Sequence, residues 1–370
     1  MSMVLHRIRA ALEAAILPPK QGVLCHHHDV KRILLIKTSS LGDVVHNLPV
    51  VSDIHHHVSD ALIDWVVEEA YAPLVTLHSG VRQVIPVSVR RWRRQFWRTS
   101  TWREIGAFLQ RVSAQSYDAV IDTQGLLKSA LLGCMAAGTR HGFDAGSVRE
   151  PLAGIGYQRR HAVTRAAHAV IRNRLLAGAA LGYVPHSSVN YGLGTPPVAA
   201  VTDATAPTAE PERYAVLLHA SSRDDKLWPE DHWLALAAAL SAQQPGLRML
   251  LPFGNALEQQ RSLRLAAQMQ SASGVHASVP AARALDGMAR LLAGAVCVIG
   301  VDTGLTHLAT ALGRPTVALF TGSDPMLTGV FGSTCACNLG STGCVPTVAQ
   351  VLDSLAAMRR EAQQPRLSDQ

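Results

Sequence analysis

The strongest constraint on the fold is an alternation of short apolar runs with longer segments of helical periodicity. In the first half of the chain, three runs have the length and composition of buried strands: RILLIK, LIDWVVEE and AVIDTQ. Segments 44–58 and 102–115 have the spacing of helices between them. This order of elements is typical of a parallel sheet covered by helices.

The same rhythm begins again in the second half. Its strand candidates are YAVLLHA, RMLLPFG, AVCVIGVDT and PTVALFT. Helices are predicted for WPEDHWLALAAALSA and for segments 258–270 and 304–312. Pro229, followed by two acidic residues, favours a helix start, since proline fits the first turn and negative charge there suits the helix dipole.

Between the halves lies GLGTPPVAAVTDATAPTAEPER, a segment rich in Pro, Ala and Thr and without periodicity. We therefore predict an α/β protein of two Rossmann-like doubly wound domains that face each other across a cleft. The predicted parts are an N-terminal extension at 1–30 that need not be ordered, a first α/β domain at 31–191, a linker at 192–213, a second α/β domain at 214–345, and a C-terminal helix with its tail at 346–370.

Composition excludes several classes of protein. Hydrophobic residues are 48% and charged residues 16% of 370 residues, which is typical of a globular chain and not of a disordered one. No apolar run approaches the ~20 residues that span a bilayer, and segment 1–30 lacks the features of a secretory signal. Six scattered cysteines indicate reduced thiols in the cytoplasm.

No metal site is predicted. Cys335, Cys337 and Cys344 fit no standard zinc spacing, so free thiols in a loop are the favoured interpretation. The histidine runs at 26–28 and 55–57 have no companion ligands at a suitable spacing and are interpreted as solvated faces.

Positive charge is concentrated in the first half. Residues 1–190 hold 22 Lys and Arg against 13 acidic residues, whereas the remainder holds 12 against 14, so the first half is expected to meet an anionic partner. Much of the excess lies in VRRWRRQFWRTSTWR, where arginines alternate with tryptophans. Three interpretations stay open: a solvated face, which the absence of balancing acids disfavours, a nucleic-acid surface, and a surface for an anionic lipid or glycolipid head group.

The motif CVIGVDTGLTHLATALG is a candidate phosphate site. A strand is predicted to end at Val301 and a helix to begin near Gly304, where free backbone N–H groups and the helix dipole attract anions. Thr303 can add a hydroxyl donor, and His307 lies on the same helix end. Asp302 would be repelled by phosphate and is expected to cap the helix or to order neighbouring donors. An ordinary capped strand–helix turn would have the same pattern.

Two further loops follow predicted strands. LLHASSRDDKLWPEDHW offers Ser221, Ser222 and Lys226 to a phosphate, although a solvated loop is the simpler interpretation. LPFGNALEQQR places Glu258 where it can accept hydrogen bonds from ribose hydroxyls. Because open α/β sheets bind ligands at the carboxyl ends of their strands, the loops together favour a phosphate site. No GxGxxG follows a strand, which argues against a dinucleotide oxidoreductase.

A lone acidic residue, Asp43, follows the first predicted strand in RILLIKTSSLGDVVHNLP. Its simplest role is a helix N-cap, which an Asp after Gly can supply. The functional alternative is a general base that takes a proton from an attacking hydroxyl. In the predicted fold this acid would face the cleft, with phosphate loops in one domain and a basic surface in the other.

Several long motifs between about Arg32 and about Phe331 resemble the lipopolysaccharide heptosyltransferase I family: IKTSSLGDVVHNLP, DWVVEE, VIPVSVRRWRR, YDAVIDTQGLLKS, VREPLA, LLHASSRDDKLWPEDHW and VDTGLTHLATAL. The resemblance implies a GT-B glycosyltransferase of family 9 that inverts at the anomeric carbon. It would transfer L-glycero-D-manno-heptose from ADP-heptose to the first Kdo sugar of Kdo₂-lipid A, in the inner core of lipopolysaccharide. No cofactor is implied, because ADP-heptose is a substrate and the proposed mechanism requires no divalent cation.

The resemblance also implies roles for individual residues. Asp43 falls on the catalytic base that activates the Kdo hydroxyl. The donor-binding positions are Ser221, Ser222, Lys226, Glu258, Asp302, Thr303, Gly304, Leu305 and His307. The positions that hold the acidic acceptor are Ser40, Arg90, Arg93, Arg94, Lys128 and Arg149.

The expected partners are ADP-L-glycero-D-manno-heptose, Kdo₂-lipid A and the anionic surface of the inner membrane, at whose cytoplasmic face the protein would act. No nucleic-acid partner is expected. The nearest enzyme alternative is a heptosyltransferase II-like transfer to an existing core heptose. The non-enzyme alternative is an Arg- and Trp-rich surface protein that binds membrane or nucleic acid.

Overall fold

The computed structural model describes residues 31–194, 213–271 and 274–363, which belong to two compact units that separate between Gly192 and Leu193. The predicted extension at 1–30 and most of the predicted linker lie outside the described residues. In the part of the chain that the structure describes, no helix has both the length and the apolar character to cross a membrane.

The first unit is built on a parallel sheet of six strands in the order β3-β2-β1-β4-β5-β6. Its strands are β1 (Arg32–Ile36), β2 (Leu62–Glu68), β3 (Val81–Val87), β4 (Ser116–Asp122), β5 (Ala137–Phe143) and β6 (Arg159–His161). Its helices are α1 (Leu41–Val45), α2 (Leu48–His57), α3 (Ala72–Val75), α4 (Val89–Arg94), α5 (Thr99–Ser113), α6 (Leu127–Cys134) and α7 (Ala169–Leu181), with 3₁₀ turns at Glu69–Tyr71 and Pro151–Gly156.

The second unit repeats the architecture with the order β12-β11-β10-β7-β8-β9. Its strands are β7 (Tyr214–Leu218), β8 (Arg248–Leu250), β9 (His276–Ser278), β10 (Cys297–Val301), β11 (Thr316–Phe320) and β12 (Ala336–Gly340). Its helices are α8 (Glu230–Gln243), α9 (Ala256–Ser271), α10 (Leu285–Ala293), α11 (Gly304–Ala311), α12 (Pro325–Thr328) and α13 (Val348–Gln363), with a 3₁₀ turn at Asp224–Lys226.

The predicted fold class is confirmed, because each unit has the strand order of a doubly wound α/β domain. All seven predicted strands are present. The sequence analysis did not predict β3, β5, β6, β9 and β12. Two of these have only three residues and lie at sheet edges, where burial imposes little apolar pattern.

Several predicted helix boundaries are wrong. Segment 44–58 forms two helices, α1 and α2, because the chain turns at His46 and Asn47 and starts again with Pro49 in the first turn. The helix predicted at 102–115 begins earlier, at Thr99. Pro229 is the N-cap of α8 and lies outside its first turn.

Each sheet has one switch point, where the strand order reverses. It lies between β1 and β4 in the first unit and between β7 and β10 in the second. Loops that leave the carboxyl ends of two such strands diverge and leave a crevice, which is where open α/β sheets bind their ligands. Most predicted site residues of both units lie on or beside these loops. The exceptions follow other strands: Arg90, Arg93 and Arg94 after β3, Arg149 after β5, and Glu258 after β8.

Candidate active site

In the first unit, the loops after β1 and β4 are joined at the switch point. Gln124 Oε1 accepts hydrogen bonds from the backbone N–H groups of Thr38 at 3.0 Å and Ser39 at 3.2 Å, and Gln124 Nε2 donates to Ser39 O at 2.5 Å. Lys37 Nζ donates to Thr123 O at 2.8 Å. These buried bonds determine the path of the chain from β1 into α1.

Asp43 is the third residue of α1, and Ser40 is the N-cap. The Asp43 carboxylate accepts the backbone N–H of Ser40 at 3.1 Å, so the helix start is a capping box and the simple N-cap interpretation is wrong. Two cations are also close: Arg149 Nη2 lies 3.1 Å and Lys37 Nζ lies 4.0 Å from Asp43 Oδ1. The Asp43 side chain is 17% exposed, which leaves the carboxylate accessible.

The charges around Asp43 keep it ionised. Burial raises the pKa of this carboxyl, but the charges of Lys37 and Arg149, with hydrogen bonds from Ser40 and Arg149, outweigh burial and hold the pKa below its ordinary value. Lys37 is 3% exposed, and burial lowers its pKa to about 8. Sequence reasoning missed Lys37, although a lysine directly after an apolar strand at a switch point is a recognisable signal.

Two predicted acceptor residues contact the Asp43 carboxylate, and a third contacts the residue before Ser40. Ser40 Oγ is 3.4 Å from Asp43 Oδ2, and Arg149, 45% exposed in its side chain, forms the ion pair described above. Lys128, on α6, donates to Ser39 Oγ at 3.0 Å. The structure therefore brings together residues that are 106 positions apart in the chain.

The other three predicted acceptor residues lie on α4 and are exposed: Arg90, Arg93 and Arg94. The start of this helix is held by Glu68, whose carboxylate accepts the backbone N–H groups of Val89 and Arg90, both at 3.3 Å. Sequence reasoning quoted Glu68 in DWVVEE but gave it no role. Among the described residues, no hydrogen bond or ion pair links the three arginines with Asp43.

The interpretation that the arginine segment lacks balancing acids is wrong for one member. Arg91 pairs with Glu69 at 2.9 Å and with Glu104 at 2.8 Å, and Trp92 Nε1 also donates to Glu104 at 2.8 Å. The tip of the segment, between α4 and α5, is apolar and solvent-exposed. It carries two neighbouring aromatic side chains, Phe96 at 60% and Trp97 at 67% exposure. We call residues 90–103 the Arg/Trp segment.

In the second unit, the loops at the switch point meet around Asp302. Lys226 Nζ lies 2.6 Å from Asp302 Oδ2, and Ser323 Oγ donates to the same oxygen at 2.5 Å. His307 Nε2 is 3.4 Å from Asp302 Oδ1, and Ser221 Oγ donates to the backbone oxygen of Asp302 at 3.4 Å. Asp302 therefore orders donors from three segments of the chain: the loop after β7, the loop after β11, and α11.

The start of α11 is a candidate anion site beside this cluster. Thr303 is the N-cap, so the backbone N–H groups of Gly304 and Leu305 lie in the first turn and have no acceptor within the helix. Burial raises the pKa of Asp302, but hydrogen bonds from His307, Lys226 and Ser323 outweigh burial and hold it far below its ordinary value. These donors reduce the repulsion that a bare Asp302 carboxylate would exert on a phosphate.

The remaining predicted donor residues lie on the edges of this region. Glu258 is in the first turn of α9, where its carboxylate accepts from Gly254 N and Asn255 Nδ2, both at 2.7 Å. A ribose contact would have to use its remaining lone pairs. Ser222 is exposed, and no hydrogen bond to its side chain is found in the described part of the chain.

In the described ranges, no three His, Cys, Asp or Glu side chains are grouped so that they could hold a metal ion. Cys335, Cys337 and Cys344 are free thiols. In the second histidine run, His55 Nε2 hydrogen-bonds to Gly80 O at 2.7 Å. The interpretation of this run as a solvated face is therefore wrong for His55. The first run, 26–28, lies outside the described residues.

Comparisons with known proteins agree with the fold. Residues 105–354 match the model of glycosyltransferase family 9 (heptosyltransferase). Over 303 residues the chain is 42% identical to lipopolysaccharide heptosyltransferase 1 of Escherichia coli (strain K12), which covers 81% of this chain and 91% of that protein.

Two solved structures are similar over 90% of this chain and 99% of their own chains, each with 38% identity. One is E. coli heptosyltransferase WaaC with ADP, with a TM-score of 0.75. The other is the same enzyme with ADP-2-deoxy-2-fluoro heptose, with a TM-score of 0.73.

Proposed function

Because the chain belongs to glycosyltransferase family 9, the heptosyltransferase family, we propose that it transfers L-glycero-D-manno-heptose from ADP-heptose to the first Kdo of Kdo₂-lipid A. The protein is a glycosyltransferase. The single observation that carries the proposal is Asp43, an ionised and accessible carboxylate at the switch point of the first sheet, with two cations beside it.

The second unit would hold the donor. The ADP diphosphate fits the first turn of α11, where the N–H groups of Gly304 and Leu305 and the hydroxyl of Thr303 can donate to it. Lys226 would exchange its Asp302 partner, at 2.6 Å, for a phosphate oxygen. As the sugar–phosphate bond breaks, negative charge grows on the leaving ADP, and these fixed donors stabilise it.

The proposal needs no cofactor and no divalent cation, because Lys226 and the α11 N-terminus supply the positive charge. Transfer should therefore persist in the presence of EDTA. Support for an ADP-linked donor comes from the similar WaaC structures, which were solved with ADP and with an ADP-heptose analogue.

The first unit would hold the acceptor, with Asp43 as the base. Asp43 accepts the proton of the attacking Kdo hydroxyl while the heptose passes through an oxocarbenium-like transition state, and a single displacement inverts the anomeric centre. Arg149 is exposed enough to turn toward the Kdo carboxylate. When Arg149 turns away from Asp43, the pKa of the Asp43 carboxyl rises, because a nearby positive charge and a hydrogen bond are lost. Binding of the acceptor would therefore make Asp43 a stronger base.

We also propose that the Arg/Trp segment meets the anionic cytoplasmic face of the inner membrane. Phe96 and Trp97 are more than half exposed at its tip, and Arg93, Arg94 and Arg98 around them are exposed. Aromatic side chains settle at the membrane–water boundary, and each nearby arginine adds attraction to anionic lipids.

The test is incubation of the protein with ADP-heptose and Kdo₂-lipid A, followed by mass measurement of the lipid. We expect a gain of one heptose residue. Transfer only to an acceptor that already bears a heptose would favour the heptosyltransferase II-like alternative. Tight RNA binding without any sugar transfer would favour the non-enzyme alternative.

A further inference from the structure

We propose that a second surface of the first unit contacts the lipid bilayer in which the acceptor is anchored. This inference rests on the proposed function and adds a partner surface to it. The surface lies on α6 and on the 3₁₀ turn Pro151–Gly156, and we call it the apolar patch. It consists of four exposed side chains: Leu127, Leu131, Leu152 and Ile155.

The exposure of these side chains is unusual because it is clustered. Leu152 is 61% and Ile155 58% exposed, and Leu127 and Leu131 are 40% and 37% exposed. Single exposed apolar residues are normal on soluble proteins. Four on two neighbouring elements are the kind of apolar surface that marks an interaction site.

Sequence spacing places each pair on one side of its element. Leu127 and Leu131 are four residues apart in an α-helix, so they are neighbours on its surface. Leu152 and Ile155 are three apart in a 3₁₀ turn, which has three residues per turn, so they eclipse each other. The intervening Ala153 is fully buried, so this turn places a small residue inward and its large apolar residues outward.

The two elements pack against each other. The backbone N–H of Leu127 donates to Glu150 Oε2 at 2.7 Å, which joins the start of α6 to the start of the 3₁₀ turn. A methyl group added at Gly156 would lie 3.1 Å from Ala130 Cβ. The two pairs of exposed side chains therefore belong to one local structure.

Charge around the apolar patch favours an anionic lipid surface over a second copy of this chain. Segment 127–165 contains six Lys and Arg but only two acidic residues, and the carboxylate of one of them, Glu150, is bound to the Leu127 N–H. Three of the arginines are exposed: Arg159, Arg160 and Arg165. Self-association would bring these cations together, whereas anionic head groups attract them.

The apolar patch lies at the same sheet edge as the proposed base. Arg149, two residues before the 3₁₀ turn, contacts Asp43 at 3.1 Å, and Lys128 follows Leu127 directly. In the sheet order, Asp43 follows β1, the apolar patch lies on the helix after β4 and the 3₁₀ turn after β5, and the Arg/Trp segment follows β3. The base thus lies between two surfaces that combine apolar and basic side chains, and a bilayer that touches both presents its anchored sugar to Asp43.

The test uses a double variant that carries both Leu152→Ser and Ile155→Ser. This variant is compared with the wild-type protein. Binding is measured by co-sedimentation with vesicles of phosphatidylethanolamine and phosphatidylglycerol that contain no acceptor. We expect the variant to bind roughly tenfold or more weakly, since two large apolar side chains no longer enter the lipid. The matched control is a double variant that carries Val184→Ser and Leu263→Ser. These two side chains are 82% and 54% exposed and lie outside the apolar patch, so the control should bind vesicles like the wild type.

Transfer assays give a second readout. The variant should lose a similar factor in kcat/KM on Kdo₂-lipid A in vesicles but none on a Kdo disaccharide without acyl chains. Equal vesicle binding of the variant and the wild type would overturn the inference. So would a wild-type dimer in gel filtration that the variant converts to a monomer. If the variant loses vesicle binding but the wild type transfers no sugar to any acceptor, the membrane surface stands and the proposed function fails.

Discussion

Replacing Lys37 by methionine should remove a pH-dependent part of the stability of the first unit. The Lys37 ammonium is 3% exposed and donates to Thr123 O at 2.8 Å and Asn173 Oδ1 at 3.3 Å, with Asp43 Oδ1 at 4.0 Å. Burial lowers its pKa from 10.5 to about 8, although Asp43 partly opposes this. Because the folded chain releases this proton more readily than the unfolded chain, burial of the charged form costs stability at neutral pH.

The size of the effect follows from the pKa. A lowering from 10.5 to about 8 corresponds to about 3 kcal/mol, at about 1.4 kcal/mol per pH unit. Below pH 8 both states carry the proton and the cost is present in full. Between pH 8 and 10.5 only the unfolded chain keeps it, so the free energy of unfolding rises with pH. By about pH 9.5 the wild type should gain roughly 2 kcal/mol relative to Lys37→Met.

Urea unfolding of both proteins at constant ionic strength, from about pH 7 to about pH 9.5, measures this difference. Asp43→Asn is a useful companion, because Asp43 raises the pKa of Lys37 and its removal should move the gain to lower pH. A stability difference between wild type and Lys37→Met that stays constant with pH would refute the reasoning. Lost hydrogen bonds in the variant change the offset between the two curves but not their relative slope.

Three further substitutions test the site and the first unit. Asp43→Asn keeps an acceptor for the Ser40 N–H and should lower kcat by about 10²- to 10⁴-fold with unchanged ADP affinity; retention of most of the activity would rule out the base. Lys226→Met should weaken ADP binding by roughly 10- to 150-fold in calorimetry, the range for a hydrogen bond to a charged group, and unchanged affinity would remove Lys226 from the phosphate site. Arg174 donates to the two carboxylate oxygens of buried Asp53 at 2.6 and 2.8 Å, and Arg174→Met removes both bonds. The free energy of unfolding should fall by about 3–5 kcal/mol, because a buried charge is left unpaired. Addition of Asp53→Leu should recover stability, and a further loss of stability would contradict this account.

Much of the fold could be predicted because its signals are local. The apolar runs that became β1, β2, β4, β7, β10 and β11 are buried along most or all of their length. A parallel strand covered on both faces needs such a continuous apolar run. The strands that were not predicted include short edge strands, whose residues carry no such requirement. Helix boundaries were less accurate, since the N-caps Ser40 and Arg98 are set by the loops that precede them.

The candidate site was predictable residue by residue but not as an arrangement. Long motifs located Asp43, Arg149 and Lys226, yet nothing in their spacing shows which pairs with which. Arg149 contacts Asp43 from 106 residues away, and Ser323, which no motif indicated, shares an oxygen of Asp302 with Lys226. These contacts exist because strand order brings the loops after β1 and β5 together in the first unit, and the loops after β7, β10 and β11 together in the second.

By itself, the sequence determined the two doubly wound units, the family, and the residues able to do the chemistry, because apolar periodicity and long motifs are properties of neighbouring residues. Only the tertiary structure decided the electrostatics and the surfaces. The protonation of Asp43 and Lys37 depends on burial and on charges brought from distant segments. The apolar patch likewise depends on which side of two packed elements faces solvent. Coulomb energies and burial depend on distances in space, and these follow from the packing of the whole unit.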